Sequence, residues 1–253
     1  LDQAGVPNSR VDEFKEDPRV LRTPGPSVWS LNINMVGTEQ AQQAQWPGST
    51  YKPEPILGNK DFRLALYFSL DRDDMVQYDV KTYPTSMKIS AAYYVDPESG
   101  IPYRSTEQGM AVGENLAYST NGYDADAAMI LFKKAVAAEI AAGNYQKGTA
   151  DNYTEIELEV LTFDASSGSA IADNWINFAK DYFEKLVDDE NFVKVVVKPV
   201  HTPGSKIYDL IEVGEYELAL SSISGNTLDA SSFLDIFITD NRSGFLLNYG
   251  YDS

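Results

Sequence analysis

Gly214-Glu215-Tyr216-Glu217-Leu218-Ala219-Leu220, followed by the polar turn Ser221-Ser222-Ile223-Ser224-Gly225-Asn226, closes a segment from Asp164 to Asp229 in which strand, loop and helix repeat. Upstream, Thr154 to Phe163 (TEIELEVLTF) alternates Ile156, Leu158 and Val160 with acids, the period of a strand with one buried face. The acids on its other face suggest a place near a sheet edge. After the loop Asp164–Ser169, a helix is expected to about Asp188, with Ile171, Trp175, Phe178, Ala179, Tyr182 and Leu186 at helical spacing. Phe192 to Val200 reads as a Val-rich strand, Ser205 to Val213 as a short helix, and Tyr216 to Ser222 as a third strand. Leu228 to Ile238 reads as a further helix.

Strand, helix, strand, helix, strand at these lengths is a βαβαβ unit. Right-handed crossovers make its strands parallel and place helices on both faces of the sheet. The class is therefore α/β. The loops 164–169, 201–205 and 222–228 then share one edge, and in open α/β sheets ligands bind outside the carboxyl ends of the strands.

Outside this core, residues 1–26 are polar and Pro-rich and read as a lead-in arm. Ser27 to Val36 alternates like a half-buried strand, Thr38 to Asn59 reads as loop, and Asn59 to Tyr78 looks helical with Asp61 in its first turn. Residues 80–122, rich in Tyr, Pro, Gly and Ser, form a long excursion of the kind that is usually functional or wrapped onto the body. Asp124 can cap a helix running to about Ala142 and closed by Gly143-Asn144, with Ala128, Leu131, Phe132, Ala135 and Val136 buried.

Composition narrows the function. The 253 residues carry 20 basic against 38 acidic side chains, a net charge of -18. No basic stripe is available to neutralise phosphates, so nucleic acid is not an expected partner. The same charge opposes docking on anionic lipid. There is no cysteine, which removes thiolate nucleophiles and cysteine zinc sites. His201 is the single histidine and has no Ser or Cys partner in the pattern, so a catalytic triad is not supported and a structural role is preferred. No calcium loop, Walker loop or Gly-x-Gly-x-x-Gly occurs. Neither a metal nor a cofactor is expected. No run of about 18 apolar residues suggests a membrane span. The chain opens at Leu1 without an initiator Met or signal peptide and stops at Tyr251-Asp252-Ser253, as expected for a piece excised from a longer protein.

Candidate ligand contacts follow from the shared edge. Asp164, Ser166, Ser167 and Ser169 precede a helix, where side-chain oxygens and free N–H groups can hold a polar ligand group; plain N-capping by Ser167 or Ser169 is the simpler reading of this loop taken alone. Ser222, Ser224, Gly225, Asn226 and Asp229 form the second set, and Gly225 permits close approach of a ligand. Trp29 and Trp46 read as core or as ligand platforms, Trp175 as core. Glu157 and Glu159, two apart on one strand face, would both face solvent and make a poor glycosidase pair. Asp164 and Asp229 keep a carboxylate-based hydrolase open as an alternative.

Several of these motifs resemble, in order, the oligopeptide/dipeptide-type (family 5) extracellular solute-binding proteins of ABC importers. Leu31-Asn32-Ile33-Asn34, Phe62-Arg63-Leu64-Ala65-Leu66 and Asp71-Arg72 are similar to the opening of that family's second lobe. Tyr123-Asp124-Ala125-Asp126-Ala127-Ala128, Gly214-Glu215-Tyr216-Glu217-Leu218-Ala219 and Leu228-Asp229 with Phe233-Leu234 follow in the family's sequence. The resemblance spans residues 27–250. It implies a lobe of the type II periplasmic-binding-protein kind, 27–253, with 154–240 as its core and the first lobe absent. It further implies a monomeric component, lipid-anchored or periplasmic, without enzymatic activity. That component captures oligopeptides or dipeptides and delivers them to ABC permease subunits. Oligosaccharide or another solute, and a ligand-sensing lobe, are the alternatives. The position at which peptide binders of the family carry an acid for the peptide amino terminus falls on Asn226, and the neighbouring aromatic position on Ile223.

Overall fold

The computed structural model describes residues 5–7, 10–78, 83–96, 98–115, 118–164, 170–223 and 230. The alternating segment near the start forms β1 (Val28–Ile33). Ten-residue strands follow at β2 (Thr154–Phe163) and β4 (Val193–Thr202), with a short β3 (Val187–Asp188) between them and β5 (Leu218–Ile223) after them. Among the described residues these make one sheet in the order β1-β5-β2-β4-β3. β2 runs parallel to β4 along its whole length and parallel to β5 at Val160 and Leu161. β1 lies antiparallel to β5, and β3 antiparallel to β4. The sheet is thus mixed around the expected parallel core.

Period-2 alternation decides what each face does. Ile156, Leu158 and Val160 of β2, Val193, Val195 and Val197 of β4, and Leu218 and Leu220 of β5 are all buried in one cluster. Three helices cover it: α3 (Lys60–Ser69), α5 (Ala125–Ala141) and α6 (Ala170–Phe183). α3 starts where the Asn59 side chain accepts the Asp61 N–H at 3.0 Å. α5 starts where Asp124 Oδ1 accepts the Ala127 N–H at 2.9 Å. Each cap satisfies an orphan donor of the first turn. α5 ends at Gly143, whose φ of +82° is the left-handed conformation helix ends commonly adopt. The expected buried face of α5 holds for Ala128, Phe132, Ala135 and Val136, while Leu131 is half-buried.

The opposite sheet face carries Leu161 and Ala219 under α7 (Gly204–Glu212), packed by Ile207, Ile211 and Tyr216. α7 covers only the C-terminal half of β2. In the uncovered half, Glu155 pairs with Lys194 at 2.9 Å and Glu157 pairs with Lys198, so the strand acids face lysines of the neighbouring strand.

Five expectations need correction. β2 is interior in strand order rather than near the edge. However, β5 pairs with it only at Val160 and Leu161, and the acids read as an edge signal lie where β5 does not reach. The Thr38–Asn59 segment is not all loop: Thr38 Oγ1 accepts the Ala41 N–H and starts α2 (Glu39–Gln45), and Pro55–Gly58 forms a 3-10 turn. The helix expected to Asp188 ends at Phe183, because Val187 and Asp188 pair with Lys194 and Val193. The 80–122 excursion contains a helix, α4 (Glu107–Asn115), and is fixed to the body by the fully buried Tyr93. The arm likewise contains a helical turn, α1 (Val11–Phe14). The helix expected over 228–238 lies outside the described residues apart from Ala230.

Candidate functional site

The carboxyl ends of β2, β4 and β5 gather at one edge, as parallel pairing requires. The Asp164 N–H donates to the Thr202 carbonyl at 3.1 Å and carries the β2–β4 pairing one residue past the strand. Because β1 is antiparallel, its first residues reach the same edge: Val28 is opposite Ile223 and Trp29 opposite Ser222. Asp164 and Ser222 of the candidate contacts therefore sit at this edge, both half-buried. Ser166, Ser167, Ser169, Ser224, Gly225, Asn226 and Asp229 lie outside the described residues.

An aromatic cluster marks the edge. Trp29, 43% exposed, meets Phe163 edge-on at 5.8 Å between ring centroids and Trp175 edge-on at 5.3 Å. Phe163 ends β2 and Trp175 lies in the first half of α6, so three elements supply the three rings. Trp175 is half-buried, and its indole Nε1–H is buried without a hydrogen-bond partner among the described residues. The core reading of Trp175 is right about its packing but omits its place beside the edge. Trp46 belongs elsewhere: its Nε1–H donates to the Glu212 carbonyl at 3.1 Å and its ring covers Gly214.

Behind the aromatics a cavity of about 680 Å³ follows the outer edge of β1, lined by Trp29, Leu31, Leu66, Trp175 and Phe178 together with residues 83–88 of the excursion. That volume falls in the range of small-molecule sites, and apolar walls with a few polar groups are their usual make-up. One polar group is Lys88. Its Nζ donates to Ser30 Oγ at 2.7 Å, and burial pushes the ammonium down to about 8 from its ordinary value. Ser30 donates onward to Asn32 Oδ1 at 3.2 Å, and Asn32 Nδ2 donates to Ser221 Oγ, so a hydrogen-bonded chain crosses from the excursion through β1 to β5.

His201 is half-exposed, with Nδ1 3.7 Å from Asp173 Oδ1. This is too long for a hydrogen bond, so among the described residues the geometry gives His201 no hydrogen-bonded side-chain partner. Glu157 and Glu159 both face solvent as read. Toward the opposite end of the sheet, Glu217 accepts the Glu159 N–H at 2.6 Å on the side of β2 that β5 does not reach. Burial, with Glu54, Glu159 and Glu157 nearby, pushes the Glu217 carboxyl up to about 8. Among the described residues no group of three or more His, Asp or Glu could hold a metal ion, and no helix is long and apolar enough to cross a membrane.

Lys88 and the cavity escaped the sequence reading. The available signal was the length of the 80–122 excursion, which marks a functional or wrapped segment without saying which side chain turns inward.

Comparison with known proteins gives the same architecture. The model of the bacterial extracellular solute-binding proteins, family 5 Middle, matches residues 1–245. The oligopeptide ABC transporter substrate-binding domain from Bacillus anthracis is similar at 18% identity and a TM-score of 0.61, over 91% of this chain and 36% of that one. Listeria monocytogenes OppA bound to peptide is similar at 17% and 0.61, over 92% and 38%. The pheromone receptor PrgZ, described with its mode of peptide binding, is similar at 17% and 0.62, over 99% and 40%. At these identities the likeness shows the fold, a lobe of the type II periplasmic-binding-protein kind. The chain spans 36–40% of the length of these three structures. No curated protein matches.

Proposed function

Because the chain belongs to the family 5 bacterial extracellular solute-binding proteins, we propose that it is the second lobe, residues 27–253, of the binding component of an ABC importer. It captures oligopeptides or dipeptides outside the membrane and hands them to the permease. The observation that carries this reading is the aromatic edge: Trp29, Phe163 and Trp175 converge where β2 and β5 end, beside Ser222 and Asp164. An edge of that kind binds by packing and hydrogen bonding. Among the described residues it presents no nucleophile next to a base, which favours binding over the hydrolase alternative.

A first lobe would close over this edge, since pockets form preferentially at domain interfaces. Periplasmic binding proteins are a standing example of hinge closure around a ligand. Residues 1–26 serve as the arm that leads into the second lobe. The protein acts as a monomer, held at the outer face of the membrane by a lipid anchor or free in the periplasm. Asn226 stands in for an acid at the peptide amino terminus and offers a hydrogen bond in place of a charge.

A thermal-shift screen of the full-length protein against a mixed peptide pool and an oligosaccharide pool tests the proposal, because a ligand that binds only the folded state raises Tm. Stabilisation by peptides is expected. Stabilisation by oligosaccharides alone would reassign the substrate.

A further inference from the structure

In a chain of net charge -18, every ionised residue lining the cavity behind Trp29 among the described residues is basic: Arg72, Lys88 and Arg104. Two of the three are tied to backbone. Arg72 Nη1 donates to the carbonyls of Tyr67, Leu70 and Asn121 at 3.1, 3.2 and 3.0 Å, and its guanidinium lies 4.5 Å over the Tyr67 ring. Arg104 donates to the Ile89 carbonyl at 2.8 and 2.6 Å. Lys88 differs. It has three N–H donors, and the one hydrogen bond it makes among the described residues goes to the neutral Ser30 hydroxyl. No carboxylate stands within ion-pair distance of it among the described residues.

A half-buried ammonium with one neutral partner is less well compensated than one in water. An anion entering the cavity would supply the missing partner and recover that energy as affinity. The cavity reaches the ligand edge at Trp29, and its wall is mostly apolar, with Leu31, Leu66, Trp175 and Phe178 beside the smaller polar groups Ser27, Thr85 and Ser86. A guest that fits has an apolar stem and a terminal negative charge.

Resting on the peptide-binding reading above, we infer that Lys88 is a specificity-determining residue. It anchors a carboxylate of the captured ligand that has passed beneath Trp29 into the cavity. The carboxylate has two peptide sources, an acidic side chain and the chain terminus.

The test is calorimetric titration of the full-length protein and of Lys88→Met. The peptides are pentapeptides carrying a single Glu at position two, three or four, their Gln counterparts, and the C-terminal amides of both sets. Methionine keeps the length of the side chain without the buried charge, so Lys88→Met folds and its Tm is equal to or above that of the parent. In the parent, one Glu peptide binds at least ten-fold more tightly than its Gln counterpart, or, if the terminus is the guest, each acid binds at least ten-fold more tightly than its amide. In Lys88→Met that preference falls to within two-fold, while the neutral peptide keeps its affinity. Equal affinities across all pairs in the parent, or a preference that survives in Lys88→Met, overturn the inference. If no peptide binds, the peptide reading fails, and titration with 3-phenylpropionate against 3-phenylpropionamide decides the anion site on its own. Lys88-dependent binding of the acid alone upholds the site, and no binding of either removes it.

Discussion

Trp29 stands edge-on to Trp175, with ring centroids 5.3 Å apart and planes at 89°. One ring belongs to the outermost strand of the sheet and the other to the helix that follows β2, so the contact pins that helix to the edge where β2 and β5 end. An aromatic pair of this geometry contributes about 0.5–1.5 kcal/mol beyond its buried area. Trp29→Ala is expected to lower stability by about 1–2 kcal/mol in urea titration, from that pair and the edge contact with Phe163. It is expected to weaken peptide binding at least ten-fold in calorimetry. A loss of stability without loss of affinity would make the tryptophan purely structural.

Asn34 is fully buried and uses both ends of its amide. Its Nδ2 donates to the carbonyls of Gly214 and Tyr216, each at 3.0 Å, and its Oδ1 accepts the Val36 N–H at 3.1 Å. The side chain therefore joins the exit of β1 to the entry of β5 across the sheet. Asn34→Ala removes the acceptor of the Val36 N–H and one donor from each of two carbonyls, of which Gly214 keeps the Gln42 amide at 3.0 Å, and an orphaned buried group costs about 1–3 kcal/mol. Denaturant unfolding should show a loss of about 2–4 kcal/mol on that scale, with m unchanged.

Gly214 opens the turn into β5 with φ of +65°, and a Cβ there would come within 2.4 Å of the Trp46 ring. Both the backbone and the ring exclude a side chain. Gly214→Ala should lose more than ~1 kcal/mol, since alanine at positive φ is strained even before the clash. The fluorescence of Trp46 should shift as the ring is displaced from its bond to the Glu212 carbonyl.

Glu217 makes stability depend on pH. Its folded carboxyl titrates at about 8 against an ordinary 4.5, with burial the first cause and Glu54, Glu159 and Glu157 adding repulsion. Between those values the folded state holds a proton that the unfolded state has released. Stability is then greatest below about pH 4.5 for this group and is lost as pH rises through 8, by an amount on the order of a few kcal/mol. Glu217→Gln keeps an acceptor for the Glu159 N–H and cannot ionise. Its Tm should fall less than that of the parent between pH 5 and 8, with the gap widest above pH 8. Parallel Tm curves would show that the carboxyl ionises without penalty.

The parallel core was legible because both signals that define it are local. Alternation in Thr154–Phe163 gives the buried face, and Asp124 with Gly143 brackets α5 at both ends. Misreadings came where partners are distant in sequence. The acids of β2 look like an edge pattern until Lys194 and Lys198 are placed beside them. Leu186 continues the helical spacing of α6, yet the chain leaves the helix at Phe183 because pairing with β4 outweighs one more turn. Of the site, the edge itself follows from topology, which put Asp164 and Ser222 where they are found. The cavity could not be read in the same way, because Lys88 meets Ser30 only after a 58-residue detour that brings the excursion back over β1.

The most direct test of ligand capture at this edge is hydrogen–deuterium exchange on the full-length protein, with and without a mixed peptide pool. The account predicts peptide-dependent protection at Val28–Ile33 and Leu218–Ile223, with the opposite end of the sheet around Thr154 and Val193 unchanged. Protection confined to that opposite end, or none at β1 and β5 under saturating peptide, would contradict it.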